Sequence, residues 1–224
     1  MYNLMRKTLF LIFIVLSILG NTSIAQEAFN KKSIIFTGGI GSGIGFSFNN
    51  NTPLQNYSNS STYGYGTIIN YNFPFTAEYA IHNKWSLGLS LTHNKYLKYP
   101  IKAKGNDWGV FGSLHFLRKE HIEMYVRMGL GLSTMNIVEE TGYYHYYEQI
   151  KLLYRMTGLF VKPSWGFRYF FNNHIGFFVD GGFKLFSLTT DKYETSDGET
   201  YSLNPKARMT NINLEVTTGL AVKF

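Results

Sequence analysis

The stretch Thr37–Phe48, "TGGIGSGIGFSF", places glycine at positions 39, 41, 43 and 45. Ile40, Ile44, Phe46 and Phe48 hold the other parity and continue the series begun by Ile34 and Phe36. A dinucleotide-binding loop needs G-x-G-x-x-G between a strand and a helix. Here the glycine period is two, and no helical pattern follows. Period two describes a strand with two unlike faces. One face is bulky and apolar, the other almost bare, so something crowded must lie over the bare one.

The start of the chain sets the compartment. Arg6 and Lys7 precede the apolar run Leu9–Gly20, and Ser23-Ile24-Ala25 forms a small-x-small cleavage site. Residues 1–25 therefore read as a signal peptide, with Gln26 opening the mature domain at 26–224. The run is shorter than the roughly 20 apolar residues of a spanning helix. An uncleaved anchor is the alternative. No cysteine occurs anywhere, which excludes disulfides, thiolate metal sites and a lipid-modified cysteine.

Without Arg6 and Lys7 the formal charge falls from +7 to +5, too mild a basicity to imply nucleic acid. Aromatic residues make up 17% of the chain and charged residues 16%, against about 25% charged in soluble domains. Yet no long apolar run follows residue 25. An aromatic, charge-poor chain without a membrane-helix candidate fits a transmembrane β-barrel, whose lipid face uses only every second residue.

Alternation divides the mature chain into eight segments. They begin with 33–48 and 67–81, then continue from Trp85, through Trp108–Phe116, Met124–Ser133, Leu159–Tyr169 and Ile175–Leu185, to Asn211–Phe224. Pro74 and Pro163 each remove a ladder donor and predict a bulge or bend. Connections alternate in length. Short ones fall at 82–84, 118–121 and 172–174, and long ones at 49–66, 93–106, 139–153 and 189–206. Short periplasmic turns and long extracellular loops are the plan of outer-membrane barrels. The predicted fold is all-β: an eight-stranded antiparallel up-and-down transmembrane β-barrel.

A soluble barrel shares the alternation. Two features point the polar face inward instead. That face is rich in Gly, Ser, Thr and Asn, which suit a narrow lumen. Its charges also nearly balance, with Glu78, Glu123, Asp180 and Glu215 against Arg127, Lys162, Arg168, Lys184 and Lys223. On this reading the glycines of the first strand make room for large side chains from the opposite wall. A three-residue turn at 172–174 sets Lys162 directly across from Lys184. Like charges so opposed are destabilising, which predicts that Glu215 bridges both while Arg168 pairs with Asp180. Glu78 and Arg127 complete the expected network, which would plug the lumen.

At this point the mature chain resembles the small outer-membrane barrels of the Bacteroidota type, the PorT-like barrel domain family, and more distantly the eight-stranded OmpA and OmpX group. The residues that carry the resemblance are Ser23-Ile24-Ala25, the strand "FPFTAEYAI" before the turn 82–84, and the terminal Phe224. The resemblance implies a bacterial outer-membrane location. It also implies that Phe224 is an assembly signal read by the barrel-assembly machinery. It implies no particular activity.

Chemistry is sparse. No metal-ligand spacing such as H-E-x-x-H occurs, and no cofactor is expected. Among loop-end residues, His93 or His145 with Ser133 or Asp191 are the candidates for an acyltransferase or protease site, though nothing in their spacing assembles them. Lys95, Lys98, Lys102 and Lys104 lie in one acid-free stretch, a candidate contact for lipopolysaccharide phosphates. Tyr143, Tyr144, Tyr146 and Tyr147 form either an interfacial anchor or an extracellular partner surface. The leading expectation is a plugged barrel with a structural or surface-interaction role. A narrow solute pore is the alternative, and an enzyme comes third.

Overall fold

The computed structural model describes residues 29–50, 65–98, 101–141 and 150–224. Its eight strands are β1 (Ile34–Asn50), β2 (Tyr65–His82), β3 (Trp85–Lys98), β4 (Ile101–Arg118), β5 (Ile122–Thr141), β6 (Ile150–Phe170), β7 (Ile175–Thr195) and β8 (Thr200–Lys223). Each pairs antiparallel with its sequence neighbour, and β1 pairs with β8 to close the barrel. Closure requires stagger. A hydrogen-bonded row that leaves Ala77 passes Leu89, Val110, Leu130, Val161, Leu185, Ile212 and Phe46, and returns to β2 at Thr67, ten residues away.

One end carries the short turns. There Asn172 Oδ1 accepts the N–H groups of His174 and Ile175, both at 2.8 Å, which fixes the β6–β7 connection. The other end, here called the hairpin end, departs from expectation. The sequence pattern predicts long loops over 93–106 and 189–206. Instead β3 runs on to Lys98 and β4 begins at Ile101, while β7 reaches Thr195 and β8 begins at Thr200. Gly198, at φ +88°, closes that last turn.

The physical reason is a change of solvent along the wall. On β3 to β8 the outward apolar run ends at Leu91, Trp108, Leu132, Leu159, Leu185 and Ile212. The next outward residues are His93, Asn106, Thr134, Thr157, Ser187 and Thr210. Past the same level the interior becomes apolar. Ile68, Tyr96, Ala103, Met135, Tyr154, Met156, Phe186, Leu188 and Met209 are buried together there, with Phe160 just beneath. Inside the hydrocarbon, lipid takes the apolar face and the lumen holds the polar one. Beyond it, on β4 to β8, water takes the outside and the apolar face turns in, while on β2 and β3 Ile69 and Leu97 stay outward and exposed. Alternation continues with its sense reversed, so polar outward residues give these strands the look of loops.

Two further expectations are corrected. The prolines interrupt the ladder on one side without bulging it. Pairing skips from Gly38↔Phe75 to Gly41↔Asn72 at Pro74, and from Val161↔Leu185 to Ser164↔Gly182 at Pro163, with the register kept in both. The register shifts lie elsewhere, at 80–82, 115–117, 154–157 and 190–192. The β1 glycines do face the lumen, but much of what crowds them comes from adjacent strands rather than the far wall. A methyl on Gly43 would meet Asn70 of β2 and, at 2.9 Å, Glu215 Cγ of β8. One on Gly41 would meet Asn72 and Thr217. The flanking side chains lie over β1, and only a bare strand can pass beneath them.

Candidate functional site: the lumenal ion network

Four elements converge near the turn end. Arg168 of β6 is fully buried and stands directly across from Glu123 of β5. Its Nη1 donates to Glu123 Oε1 at 3.1 Å, and its Nη2 donates to Glu78 Oε2 from β2. Arg127 donates to the same Glu78 oxygen at 2.9 Å and to Asp180 Oδ2 at 3.5 Å. Tyr125 donates its hydroxyl proton to Asp180 Oδ1 at 2.6 Å. The guanidinium of Arg127 lies 4.0 Å from the Phe111 ring centroid, and that of Arg168 lies 4.4 Å from the Tyr125 ring. Charged hydrogen bonds and aromatic faces together replace water around these groups.

The expected Arg168–Asp180 pair is therefore not formed. Asp180 faces Gly166, beside Tyr125 and Arg127. Arg168 has a carboxylate directly across the ladder and a second reaching over from β2, and these take its Nη1 and Nη2 donors.

Toward the middle of the lumen, Lys162 Nζ donates to Glu215 Oε2 at 2.6 Å, and Asn70 Nδ2 donates to Glu215 Oε1 at 3.1 Å. The pairs Val161↔Leu185 and Ser164↔Gly182 bracket Lys162 and Lys184 and hold them opposed. The expectation that Glu215 also accepts from Lys184 is corrected. Lys184 Nζ donates to Asp107 Oδ2 on β4 and to the Tyr96 hydroxyl at 3.3 Å. Asp107 is further held by Ser133 at 2.6 Å and Asn94 at 2.7 Å. The two lysines are thus separated by different carboxylates, one from each side.

Asp107 falls between the stretch 93–106 and the alternating segment that opens at Trp108, and so outside both. Carrying the β4 parity of Gly109, Phe111 and Ser113 back one step would have placed it inward. With Asp107 included, five carboxylates (78, 107, 123, 180, 215) face five cations (127, 162, 168, 184, 223). Balance matters, since an unpaired charge removed from water is costly.

Ser86, His115 and Glu123 lie in the order of a nucleophile, base and orienter. Ser86 Oγ is 2.9 Å from His115 Nε2, and Nδ1 faces Glu123. Three observations bind this line into the ion network instead. Ser86 donates to Glu78, and Glu78 Oε1 also stands 3.1 Å from Nε2. Nε2 stands against Glu78 and Nδ1 against Glu123, so both ring nitrogens are taken within the network. Phe29 stacks on the imidazole at 3.6 Å and is itself fully buried, closing the turn end.

The loop-end candidates are not brought together. His93 faces outward and contacts Asn106 at 2.9 Å, while Ser133 faces inward onto Asp107. Asp191 is exposed near the β7–β8 tip. His145, the four tyrosines 143, 144, 146 and 147, and the leader 1–25 lie outside the described residues. Lys95 and Lys104 are exposed on β3 and β4, not on a loop. Lys98 and Lys102 belong to the same strands. Phe224 is exposed beside Phe36, with ring centroids 6.0 Å apart. Its main chain pairs with Ile34 through two hydrogen bonds of 2.8 and 3.0 Å.

No family model and no curated protein matches the sequence. Solved structures do match the fold. The outer membrane protein OprG from Pseudomonas aeruginosa aligns over 88% of this chain and 97% of its own, with TM-score 0.54 and 13% identity. AlkL, solved in lipid bilayers, aligns over 91% and 95% with TM-score 0.50 and 11% identity. The outer membrane protease OmpT from Escherichia coli aligns over 91% and 99% with TM-score 0.49 and 11% identity. An eight-stranded closed barrel, apolar outside and ion-paired within, has the fold of the small outer-membrane β-barrel proteins.

Proposed function

We propose that the chain is an integral outer-membrane barrel with a plugged lumen, acting as a structural element or interaction platform at the cell surface. The observation that carries this reading is the filled interior. Phe29 and the ion network occupy the turn end, and an apolar core occupies the hairpin end. Between them a lumenal cavity of about 50 Å³ is lined by residues such as Thr76, Arg127, Lys162 and Asp180. That is room for a few waters, not for a solute path. In planar bilayers the purified protein should show no steady conductance. A persistent single-channel current would put the narrow-pore reading ahead.

Both ring nitrogens of His115 are taken within the network, which supports a non-enzymatic role. The hairpin end supplies aromatic surface for a partner, since Tyr193 and Tyr201 stack at 5.2 Å and Tyr201 is exposed. In sequence, Tyr143, Tyr144, Tyr146 and Tyr147 lie between β5 and β6. The finer likeness, to the PorT-like barrels of Bacteroidota with a cleaved leader, rests on the sequence features that suggested it. In this reading the barrel-assembly machinery recognises Phe224, an exposed aromatic side chain at the turn-end rim. Deleting Phe224 should lower assembly in cells while leaving refolding in detergent nearly intact. Equal cellular assembly of deletion and parent would refute the role.

A further inference from the structure

The reversal of polarity along the wall marks the edge of the hydrocarbon. One outward position beyond it, past His93 and Asn106, stand Lys95 on β3 and Lys104 on β4. They are direct cross-strand partners, and both are exposed. Tyr71 flanks Lys95 and Asn136 flanks Lys104 in the same hydrogen-bonded row. Among the described residues neither lysine has an ion pair. The contact made by Lys95 Nζ is with the Phe73 ring, 5.9 Å from its centroid.

Side chains directly opposed on a ladder stand close together, and like charges there repel. Near hydrocarbon the repulsion is less screened than in open water. Outward arginines elsewhere on the barrel have polar partners within the protein. Arg155 donates to Glu194 at 3.2 Å, and Arg208 donates to Ser187 at 3.2 Å. Lys95 and Lys104 instead stand opposed to each other, with no carboxylate between them among the described residues. One step toward the turn end from His93 and Asn106 come Leu91 and Trp108, outward and apolar.

The geometry points to a lipid-phosphate clamp, in which Lys95 and Lys104 grip the phosphate of an anionic glycolipid in the leaflet at the hairpin end. The acyl part of that lipid lies over Leu91 and Trp108, which a soluble anion has no use for. Tyr71 and Asn136 stand beside the phosphate as neutral hydrogen-bond donors. The clamp rests on the membrane-barrel reading and names the lipid this face of the barrel takes.

The test uses the full protein folded in nonionic detergent, with the heat-dependent gel shift checked for every variant. Binding of diphosphoryl lipid A, of lipid A stripped of its phosphates, and of inorganic phosphate is measured by native mass spectrometry. The parent should bind diphosphoryl lipid A about tenfold or more tightly than the stripped form. Lys95→Gln with Lys104→Gln should erase that preference. Lys84→Gln with Lys119→Gln, an equal charge loss at the turn end, should keep it. The clamp is overturned if the preference survives in the first pair, is lost equally in the second, or if equimolar inorganic phosphate displaces the lipid. Absence of the gel shift in the parent would overturn the barrel reading separately.

Discussion

Arg168→Met should destabilise the folded barrel by about 3–5 kcal/mol, the range for breaking a buried ion pair. Arg168 is the shared donor of Glu78 and Glu123, and all three side chains are fully buried. Without it, Glu78 and Glu123 lose the guanidinium they share, in a lumen with little water. Arg127 already serves Asp180 as well as Glu78, and His115 stands between the two glutamates, so neither can replace the lost guanidinium. Methionine keeps most of the volume, which separates the charge effect from a cavity. Adding Glu123→Gln removes one of the two stranded carboxylates and should recover a substantial part of the loss. Urea midpoints in detergent measure both. If the single change costs under about 1 kcal/mol, as an exposed pair would, or the second change gives no rescue, the lumen is wet and the network is not a plug.

Phe186→Ala should cost about 3–5 kcal/mol, the range for truncating a buried phenylalanine. Phe186 is buried in the apolar core of the hairpin end, with Tyr96 at 6.2 Å between ring centroids and Lys184 Nζ 4.8 Å from its own. Three residues on, Thr189 faces outward and is exposed. Thr189→Ala should change stability by no more than about 0.5 kcal/mol, as exposed surface positions do. This contrast tests the reversal of polarity itself. A barrel wall in water with an apolar interior behaves as a soluble core, so inward truncation is costly and outward truncation is not. If both changes cost the same small amount, the hairpin-end interior is solvated and the strands there carry no core.

Much of the fold was legible in alternation, because the pleat puts successive side chains on opposite faces whatever the surroundings. The parity of Leu87, Leu89 and Leu91 against Ser86, Gly88 and Ser90 requires no knowledge of a partner strand. The opposed placement of Lys162 and Lys184 was legible too, since the length of a tight turn sets the register of its two strands. Loop rhythm added the up-and-down order. What alternation cannot state is which solvent lies on which side at a given height. Tyr96, Met135 and Leu188 obey the same period as the lipid-facing residues with the opposite sense. Only the height of each residue in the closed barrel shows that they form a core in water.

Ion pairing was the least legible part, for a related reason. Register along one hairpin is local, but the lumen brings together strands far apart in sequence. Glu78 and Arg168 are 90 residues apart and Asp107 and Lys184 are 77 apart. Which carboxylate a buried cation takes depends on the stagger of the whole barrel and on how far each side chain reaches across it. The sequence by itself determined the strands, their faces and a nearly balanced set of inward charges, because these follow from local geometry and from the cost of burying an unpaired ion. Tertiary structure alone decided that Arg168 takes Glu78 and Glu123, that Lys184 takes Asp107, and where the apolar face turns inward. Those choices are made by distances across a closed lumen, and they exist only once β1 has met β8.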